Sequence, residues 1–404
     1  MKIENLREER TGDRARIAAT IKWEDCDRPT RDVYFETTTE FAGALCCSVE
    51  PFVLAGVLPA LWYGEQRLHA DGEICPDMRN GVITAMSVIR HWYGLKRGLV
   101  RIEAPSRSRP LADSVVPRAG FFATGGVDSL ATLRGNRLNF PPSHPGSIRD
   151  GVVIFGLEVE DAAAFELVLK LLRSLAGAAD FTLVPVYTNE RYLEPDWGFW
   201  IDVFEGAVLA AVGHALRRRL TEISIASSFD IANLHHLASH PMLDPFYSGH
   251  ELRIHHDSAA LSRLEKTRLL ADWDVALRHL RVCNAVEHYQ AGRLNCGRCE
   301  KCLRTMIALL IAGKLDQTHV FQQTELSEEL VREVAVLGRT NFRFWPELIA
   351  PLEQMGRHDL ARGVRYALDR YEGGLGWKGA LRRFDRRRLN GVLYSLRRAI
   401  RNGS

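Results

Sequence analysis

The chain has 404 residues, a net charge of +3, and side chains that are 46% hydrophobic and 25% charged. This composition is typical of a soluble globular protein of two or three domains, and it excludes a disordered chain, a collagen-like chain and a small disulfide scaffold. The start, residues 1–16, is polar and mixed in charge, which argues against a secretory signal. No apolar run approaches the ~20 residues that span a bilayer. We therefore expect a cytoplasmic protein without a transmembrane segment.

Residues 1–112 are predicted to form a separate N-terminal α+β domain. Alternating apolar and polar residues predict strands at Arg14–Trp23 and Arg31–Thr37, joined by a hairpin. Helical patterns follow at Pro51–Tyr63 and Met78–Tyr93. We find no chemical motif in this segment.

Residues 113–280 change to an alternation of strands and helices, which predicts an α/β domain with a parallel sheet covered by helices. The strands are expected at Gly120–Thr124, Gly151–Leu157, Thr182–Tyr187 and Glu222–Ala226. The longest helices between them are expected at Ala162–Leu175 and Phe199–Leu220. A further helix is expected at Leu261–Ala271.

A phosphate-binding loop is predicted where the first of these strands turns into a helix. Its residues are Thr124, Gly125, Gly126, Val127, Asp128 and Ser129. The glycines allow backbone N–H groups to approach phosphate oxygens closely, and a helix N-terminus adds further donors. The hydroxyls of Thr124 and Ser129 can donate to the same oxygens, and Asp128 suits capping the loop or holding Mg²⁺. The alternative is an ordinary turn between a strand and a helix.

This loop resembles the Ser-Gly-Gly-x-Asp-Ser signature of the PP-loop ATP pyrophosphatases, with Thr124 in place of the first serine. The resemblance implies a Rossmann-like domain of the adenine nucleotide alpha hydrolase type, with ATP bound at the loop and cleaved between its α- and β-phosphates. It also implies a basic residue on a later helix that reaches the phosphates. Lys266 is the first choice and Arg263 the second, and Asp128 and Lys266 are the catalytic candidates. Each basic residue, taken singly, could also lie on a solvated helix face.

Four of the eight cysteines fall within twenty residues, and they predict a metal site. They are Cys283, Cys296, Cys299 and Cys302. Four thiolates suit a structural Zn²⁺ with a closed coordination shell. The CxxCxxC spacing leaves an iron–sulfur cluster as the alternative. The remaining cysteines stand among apolar neighbours and are expected to be small buried side chains: Cys26, Cys46, Cys47 and Cys75.

The loop and the cysteine set together resemble the 7-cyano-7-deazaguanine synthase family over roughly residues 118–305. The resemblance implies zinc at the four cysteines and ATP at Thr124, Gly125, Gly126, Asp128 and Ser129. It also implies that a 7-carboxy-deazapurine becomes an amide and then a nitrile at the expense of ATP and ammonia. We therefore expect an ATP-dependent ligase with ATP, Mg²⁺ and Zn²⁺ as cofactors. Its substrate would be a small-molecule or modified-base acid.

Two other functions are compatible with the same motifs. A tRNA-modifying sulfurtransferase uses the same adenylation, but it needs a reactive cysteine of low pKa outside the metal site. A non-enzymatic interaction protein could bind a nucleotide and zinc without turnover.

Residues 281–404 are predicted to form a zinc knuckle and a helical C-terminal region with a basic tail. Between Trp377 and Arg401 the tail holds nine Lys/Arg residues and one acidic residue. It could contact a protein, RNA or an acidic lipid surface, or it could pack on the body with its arginines in water. A homodimer is a possible assembly. The histidine-rich segment 235–256 is expected to form a loop on the substrate side. Some of its histidines, or Asp257, could bind substrate or a catalytic metal, and the alternative is a set of ordinary loop histidines.

Overall fold

The computed structural model describes residues 1–108, 116–157, 159–334 and 338–374. The chain divides into two compact units, Met1–Leu294 and Asn295–Ser404. The first unit is α/β, and its described residues contribute ten strands to one sheet.

The strands of this sheet follow in chain order as β1 (Lys2–Thr11), β2 (Arg14–Lys22), β3 (Arg31–Thr38), β4 (Arg67–Ala70), β5 (Arg101–Glu103), β6 (Ala119–Phe122), β7 (Ile148–Phe155), β8 (Thr182–Thr188), β9 (Glu222–Ala226) and β10 (Arg253–Asp257). Across the sheet their order is β10-β9-β6-β7-β8-β3-β2-β1-β4-β5. Among the described residues, six of the nine pairings are parallel, and the three around β2 and β3 are antiparallel. The sheet is therefore mostly parallel, as the sequence predicts.

The α-helices of the first unit are α1 (Glu50–Tyr63), α2 (Pro76–Trp92), α3 (Val127–Asn139), α4 (Ala162–Ala179), α5 (Trp197–Phe199), α6 (Glu205–Ala215), α7 (Arg263–Ala271) and α8 (Asp274–His279). Those described in the second unit are α9 (Glu300–Ile311), α10 (Glu328–Glu333), α11 (Gly338–Asn341), α12 (Ile349–Gln354) and α13 (His358–Gly374). In the described part of the chain, no helix combines the length and the apolar character needed to cross a membrane.

The core of the first unit follows from the sequence of its helices. Helix α1 is apolar around its whole circumference and is buried from Glu50 to Leu61, as expected of a helix enclosed on all sides. It packs against α6, and both share one hydrophobic core with Phe122, Ile225 and Ile254 of the sheet. Strand β6 is buried at every residue, which is typical of a central strand covered on both faces.

Most predicted elements of the first unit are confirmed, and the exceptions have physical causes. Strand β1 was not predicted, because it carries charged residues on both faces and is only partly buried. The predicted helix Phe199–Leu220 is wrong as one helix. A π-helical turn at Trp200–Phe204 separates α5 from α6, which already ends at Ala215.

Strands from both sides of the predicted boundary at residues 112/113 belong to one sheet, since β3 pairs with β8. The boundary itself lies in segment 109–115, outside the described residues. The division into 1–112, 113–280 and 281–404 stays a prediction. The basic tail between Trp377 and Arg401 also lies outside the described residues.

Glu190, just beyond β8, places a carboxyl group in the interior of the first unit. Its side chain has no exposed surface, and neither carboxyl oxygen has a hydrogen-bond partner within the described chain. Burial raises the pKa of Glu190 well above that of an ordinary glutamate. The folded chain therefore keeps this group neutral at pH values where the unfolded chain ionises it.

We expect Glu190→Gln to raise the free energy of unfolding at pH 7 by at least about 1 kcal/mol, since each pKa unit corresponds to about 1.4 kcal/mol. The wild-type chain loses stability as the pH rises from about 4.3, where the unfolded glutamate ionises, towards the raised folded pKa. Glutamine cannot ionise, so the difference in the free energy of unfolding between the variant and the wild type should disappear as the pH falls to about 4. Urea unfolding at pH 4 to 8 measures it. The exposed Glu166→Gln is the control, and a difference that does not vary with pH would contradict a neutral buried Glu190.

Candidate functional site

The direction in which successive strands are added to the sheet reverses between β6 and β9. From β6 the chain continues outward through β7 and β8 on one side, and β9 and β10 lie on the other. At such a switch point the loops that leave the carboxyl ends of the two central strands diverge and open a crevice, where open α/β sheets bind ligands. The loop after β6 and the segment after β9 border this crevice, and the predicted phosphate loop is the former.

The predicted phosphate loop is held by its own hydroxyl groups. Gly125 has φ +75° and Gly126 is the N-cap of α3, so the first glycine occupies a backbone region that other residues enter only with strain. The Ser129 hydroxyl donates to Phe122 O (2.8 Å) and accepts from Thr124 N (3.2 Å). Thr124 Oγ1 in turn accepts from Gly126 N (3.2 Å). Ser129 thus shapes the loop here, and its contact with phosphate stays a prediction.

Asp128, in the first turn of α3, meets both predicted basic residues of α7. Its Oδ2 lies 2.7 Å from Arg263 Nη2, and its Oδ1 lies 3.3 Å from Lys266 Nζ. Lys266 Nζ also donates to Ser227 O (2.5 Å), just after β9. Asp128 of α3 therefore meets two residues that lie more than 130 positions later in the sequence, on α7. Helix α7 begins with the Ser262–Glu265 capping box.

The lysine of this group is fully buried, whereas the aspartate is 19% exposed. Burial lowers the pKa of Lys266, and the charge of Asp128 opposes that shift. A buried ammonium group is stable only with close acceptors, which Asp128 and Ser227 O provide. The arrangement offers two cations for an anionic ligand and one carboxylate for a divalent cation.

Asp257, at the end of β10, extends the group on the side of α3. Thr132 Oγ1 donates to its Oδ2 (2.6 Å), and His255 Nε2 lies 3.5 Å from its Oδ1. Burial raises the pKa of Asp257, but hydrogen bonds from His255 and Thr132 outweigh burial, so the pKa is lowered overall. A second carboxylate therefore lies near Lys266. Its charge, like that of Asp128, opposes the lowering of the Lys266 pKa by burial.

Sequence reasoning missed Arg281, which braces the loop. Its backbone N–H donates to Gly125 O (2.8 Å), and its Nη1 donates to Thr124 O (3.0 Å). Its Nε donates to Tyr289 Oη (2.9 Å), which itself donates to Cys283 O (2.8 Å). Proximity to Cys283 was the one available signal, since the contacts of Arg281 with the loop span more than 150 residues of sequence.

The four predicted cysteines come together. Their sulfur atoms all lie within 4.8 Å of one another, and the side chains are buried except for the half-buried Cys299. Cys296 Sγ lies 3.9 Å from Cys302 Sγ, close to the ~3.8 Å edge of a sulfur tetrahedron built on 2.3 Å metal–sulfur bonds. The backbone N–H groups of Arg298 and Cys299 donate to Cys296 Sγ (3.4 and 3.3 Å). The cluster can hold a metal ion such as zinc.

Gly297 lies inside the cysteine loop, at a position where the backbone geometry requires glycine. Its φ is +74°, and a Cβ there would lie 2.4 Å from Gln323 O. Gln323 Nε2 also donates to Gly297 O (2.9 Å). The turn that carries Cys296 and Cys299 is therefore closed against the neighbouring segment, and only glycine fits it.

In comparisons with protein-family models, with curated proteins and with solved structures, no match to this chain was found.

We expect Arg281→Met to loosen the phosphate loop while the fold is kept. The variant retains the backbone bond to Gly125 but loses the side-chain bonds to Thr124 O and Tyr289. Amide exchange at residues 124–127, followed by hydrogen–deuterium exchange mass spectrometry, should become at least about 10-fold faster, because about 1.4 kcal/mol of local stability corresponds to that factor. Arg278→Met, at an arginine that is 68% exposed, is the matched control. Equal exchange in both variants would show that Arg281 does not hold the loop.

We expect the purified chain to contain about one metal ion, and Cys302→Ser to reduce that content several-fold, since serine replaces a thiolate ligand. Elemental analysis by plasma mass spectrometry measures it. Cys75→Ser is the control, because Cys75 is buried and lies outside the cluster. A chain that holds no metal when purified under reducing conditions would contradict the site.

Proposed function

We propose that the chain is an ATP-dependent ligase of the PP-loop class, with a Rossmann-like nucleotide domain. It adenylates a carboxylate with release of pyrophosphate and then transfers nitrogen to the acyl group. The observation that carries this proposal is the group formed by Asp128, Arg263 and Lys266 at the switch point of the sheet. It stands directly beside a Gly-Gly loop and the first turn of a helix.

The phosphates of ATP would lie across this loop. The first-turn amides of α3 have no acceptors within the helix, and together with the helix dipole they favour an anion. Arg263 and Lys266 would then exchange part of their contact with Asp128 for contact with phosphate oxygens. Asp128 would hold Mg²⁺, which supplies charge neutralisation on the phosphates when it is bound.

The adenylation step needs charge stabilisation more than proton transfer. A substrate carboxylate oxygen attacks the α-phosphorus, a new O–P bond forms, and the bond to the β-phosphate oxygen breaks with its electron pair on pyrophosphate. Arg263 and Lys266 would stabilise that leaving charge, and the partial burial of the site strengthens their effect. A nitrogen nucleophile then attacks the acyl carbon, and AMP leaves.

We assign zinc to the four cysteines in a structural role. Four thiolates fill a tetrahedral shell and leave no position for a substrate. A single ion suits sulfur atoms that all lie within 4.8 Å of one another, whereas in an iron–sulfur cluster the thiolates bind different irons. A fixed Cys283 would in turn position Arg281, two residues earlier, against the phosphate loop.

The sulfurtransferase alternative needs a thiolate outside the cluster, and two candidates argue against it. Burial raises the pKa of Cys26 to about 11, and a hydrogen bond with Glu65 adds to the shift. Burial likewise raises the pKa of Cys47. Both thiols are therefore kept protonated, which is the opposite of what an attacking cysteine requires.

We expect AMP and pyrophosphate, rather than ADP and phosphate, when the full chain is incubated with ATP, Mg²⁺, 7-carboxy-7-deazaguanine and ammonium chloride. Asp128→Asn should lower AMP formation at least about 100-fold, because it removes the carboxylate that orders both cations and the metal. Chromatography of the nucleotides measures the products. Asp274→Asn, at an aspartate that is 87% exposed, should behave like the wild type.

Other results would change the assignment. ADP formation would overturn cleavage between the α- and β-phosphates. ATP binding without any turnover would favour a nucleotide-binding interaction protein, and AMP formation that is independent of ammonium but dependent on a sulfur donor would favour the sulfurtransferase.

A further inference from the structure

A second pair of charged groups lies at the carboxyl edge of the sheet, outside the group around Asp128. His256 of β10 places its Nδ1 2.7 Å from Asp244 Oδ2. The two side chains are 3% and 0% exposed. Asp244 begins a short 3-10 turn, Asp244–Tyr247, which packs against β10 and α6.

The partners of Asp244 fix the tautomer of His256. Ser239 Oγ donates to Asp244 Oδ2 (2.8 Å), and His240 N donates to Asp244 Oδ1 (3.3 Å). A carboxylate that accepts on all sides requires the imidazole to carry its proton on Nδ1. In the neutral imidazole the lone pair then lies on Nε2, and within the described chain this buried atom has no hydrogen-bond partner.

Close packing shows that this pair is built into the fold. A Cβ at Gly206 would lie 2.5 Å from Asp244 Oδ1, so only glycine lets α6 approach the carboxylate so closely. The Tyr247 hydroxyl is a second buried polar atom without a hydrogen-bond partner among the described residues. Burial raises the pKa of Tyr247, and the charge of Asp244 raises it further.

Trp92, His236 and His240 form a group of rings beside the Asp244–His256 pair. Burial lowers the pKa of His240 to about 4, and the next largest influence is His256. Trp92 lies edge-on to His240 at 4.9 Å and stacks on the exposed His236 at 4.7 Å. His240 is therefore neutral at pH 7 and does not compete for a proton with His256.

Two hydrogen bonds connect the segment that carries the Asp244–His256 pair to the crevice. The next residue, Asp257, accepts a hydrogen bond at its carbonyl oxygen from Ser227 N (2.8 Å). Ser227 O accepts in turn from Lys266 Nζ (2.5 Å). The histidine thus lies one strand away from the switch point, at the edge where the parallel strands end.

A metal ion is not the ligand that this geometry favours. In the described part of the chain, the four cysteines form the only group of three or more ligating side chains close enough to share an ion. A lone pair backed by a carboxylate, with no second ligand beside it, is instead the arrangement of a general base.

We propose that His256 Nε2 accepts the proton from the nitrogen nucleophile, ammonia or a primary amine, that attacks the adenylated acid. The inference rests on the proposed ligase function. The N–C bond forms, the bond from the acyl carbon to the AMP oxygen breaks with its electron pair on AMP, and the proton passes from nitrogen to Nε2. Asp244 stabilises the imidazolium ion that results. Histidines 236 and 240 take no part in the transfer.

His256→Asn separates the two half-reactions. Asparagine keeps an N–H donor for Asp244 in the position of Nδ1 but lacks Nε2. Exchange of pyrophosphate into ATP, measured with 7-carboxy-7-deazaguanine, should stay within about 2-fold of the wild type, whereas amide formation from ammonium chloride should fall at least about 100-fold. His236→Asn, at the exposed neighbour, should leave both rates unchanged. Unchanged amide formation, or an equal loss of both reactions, would overturn the role of His256.

Nuclear magnetic resonance of the full chain labelled with ¹⁵N-histidine tests the pair without turnover. At pH 7 to 8 the wild-type chain should show His256 protonated on Nδ1 and unprotonated on Nε2, with the resonance assigned from His256→Asn. A proton on Nε2 would overturn the base while leaving the ligase proposal intact. Absence of pyrophosphate exchange in the wild type would overturn the ligase proposal, and the assigned nucleophile with it.

Discussion

The site depends on the contact between Asp128 and the two cations of α7. Lys266 is fully buried, and an ammonium group in that position is tolerated only where acceptors surround it. Asp128 and Ser227 O are those acceptors, and they belong to the helix after β6 and the segment after β9. The ion pair therefore fixes the relative position of the two chain segments that border the crevice. Its removal would cost more than a surface ion pair, because the partner left behind would be a buried charge.

The same contact would allow the proposed anion site to be preformed before a ligand binds. Two cations held close together repel one another, and Asp128 offsets that repulsion between Arg263 and Lys266. In the proposed function, a triphosphate carries more negative charge than one carboxylate and would replace it, while a divalent cation would take up the displaced aspartate. This exchange requires a backbone that does not move. Arg281 meets the requirement, since it bonds the carbonyl groups of Thr124 and Gly125 from outside the loop.

Those parts of the site that are local in sequence could be predicted, and the parts that depend on distant partners could not. The loop 124–129 and the three cysteines from Cys296 to Cys302 are contiguous patterns, so spacing alone identifies them. Lys266 was predicted because the resemblance of the loop to the PP-loop signature implies a basic residue on a later helix. Arg281 has no such pattern, since the groups it bonds lie elsewhere in the chain. Strand β1 was not predicted because its residues are mostly only partly buried. Its sequence therefore does not alternate between apolar and polar residues in the way that identifies a strand.

Strand β10 shows how one element can serve two sides of a site. Consecutive residues of a strand point to opposite faces of the sheet. Asp257 accordingly meets Thr132 of α3 on one face, while His256 meets Asp244 on the other. A slip of one residue in the pairing of β10 would exchange these side chains and disrupt both groups at once. Within the described sheet β10 pairs with β9 alone, so the register rests on that ladder, the bond from Ser227 N to Asp257 O and the packing of Ile254 in the core. The register of this edge strand therefore sets the positions of His256, the proposed base, and of Asp257, the carboxylate near Lys266, at the same time.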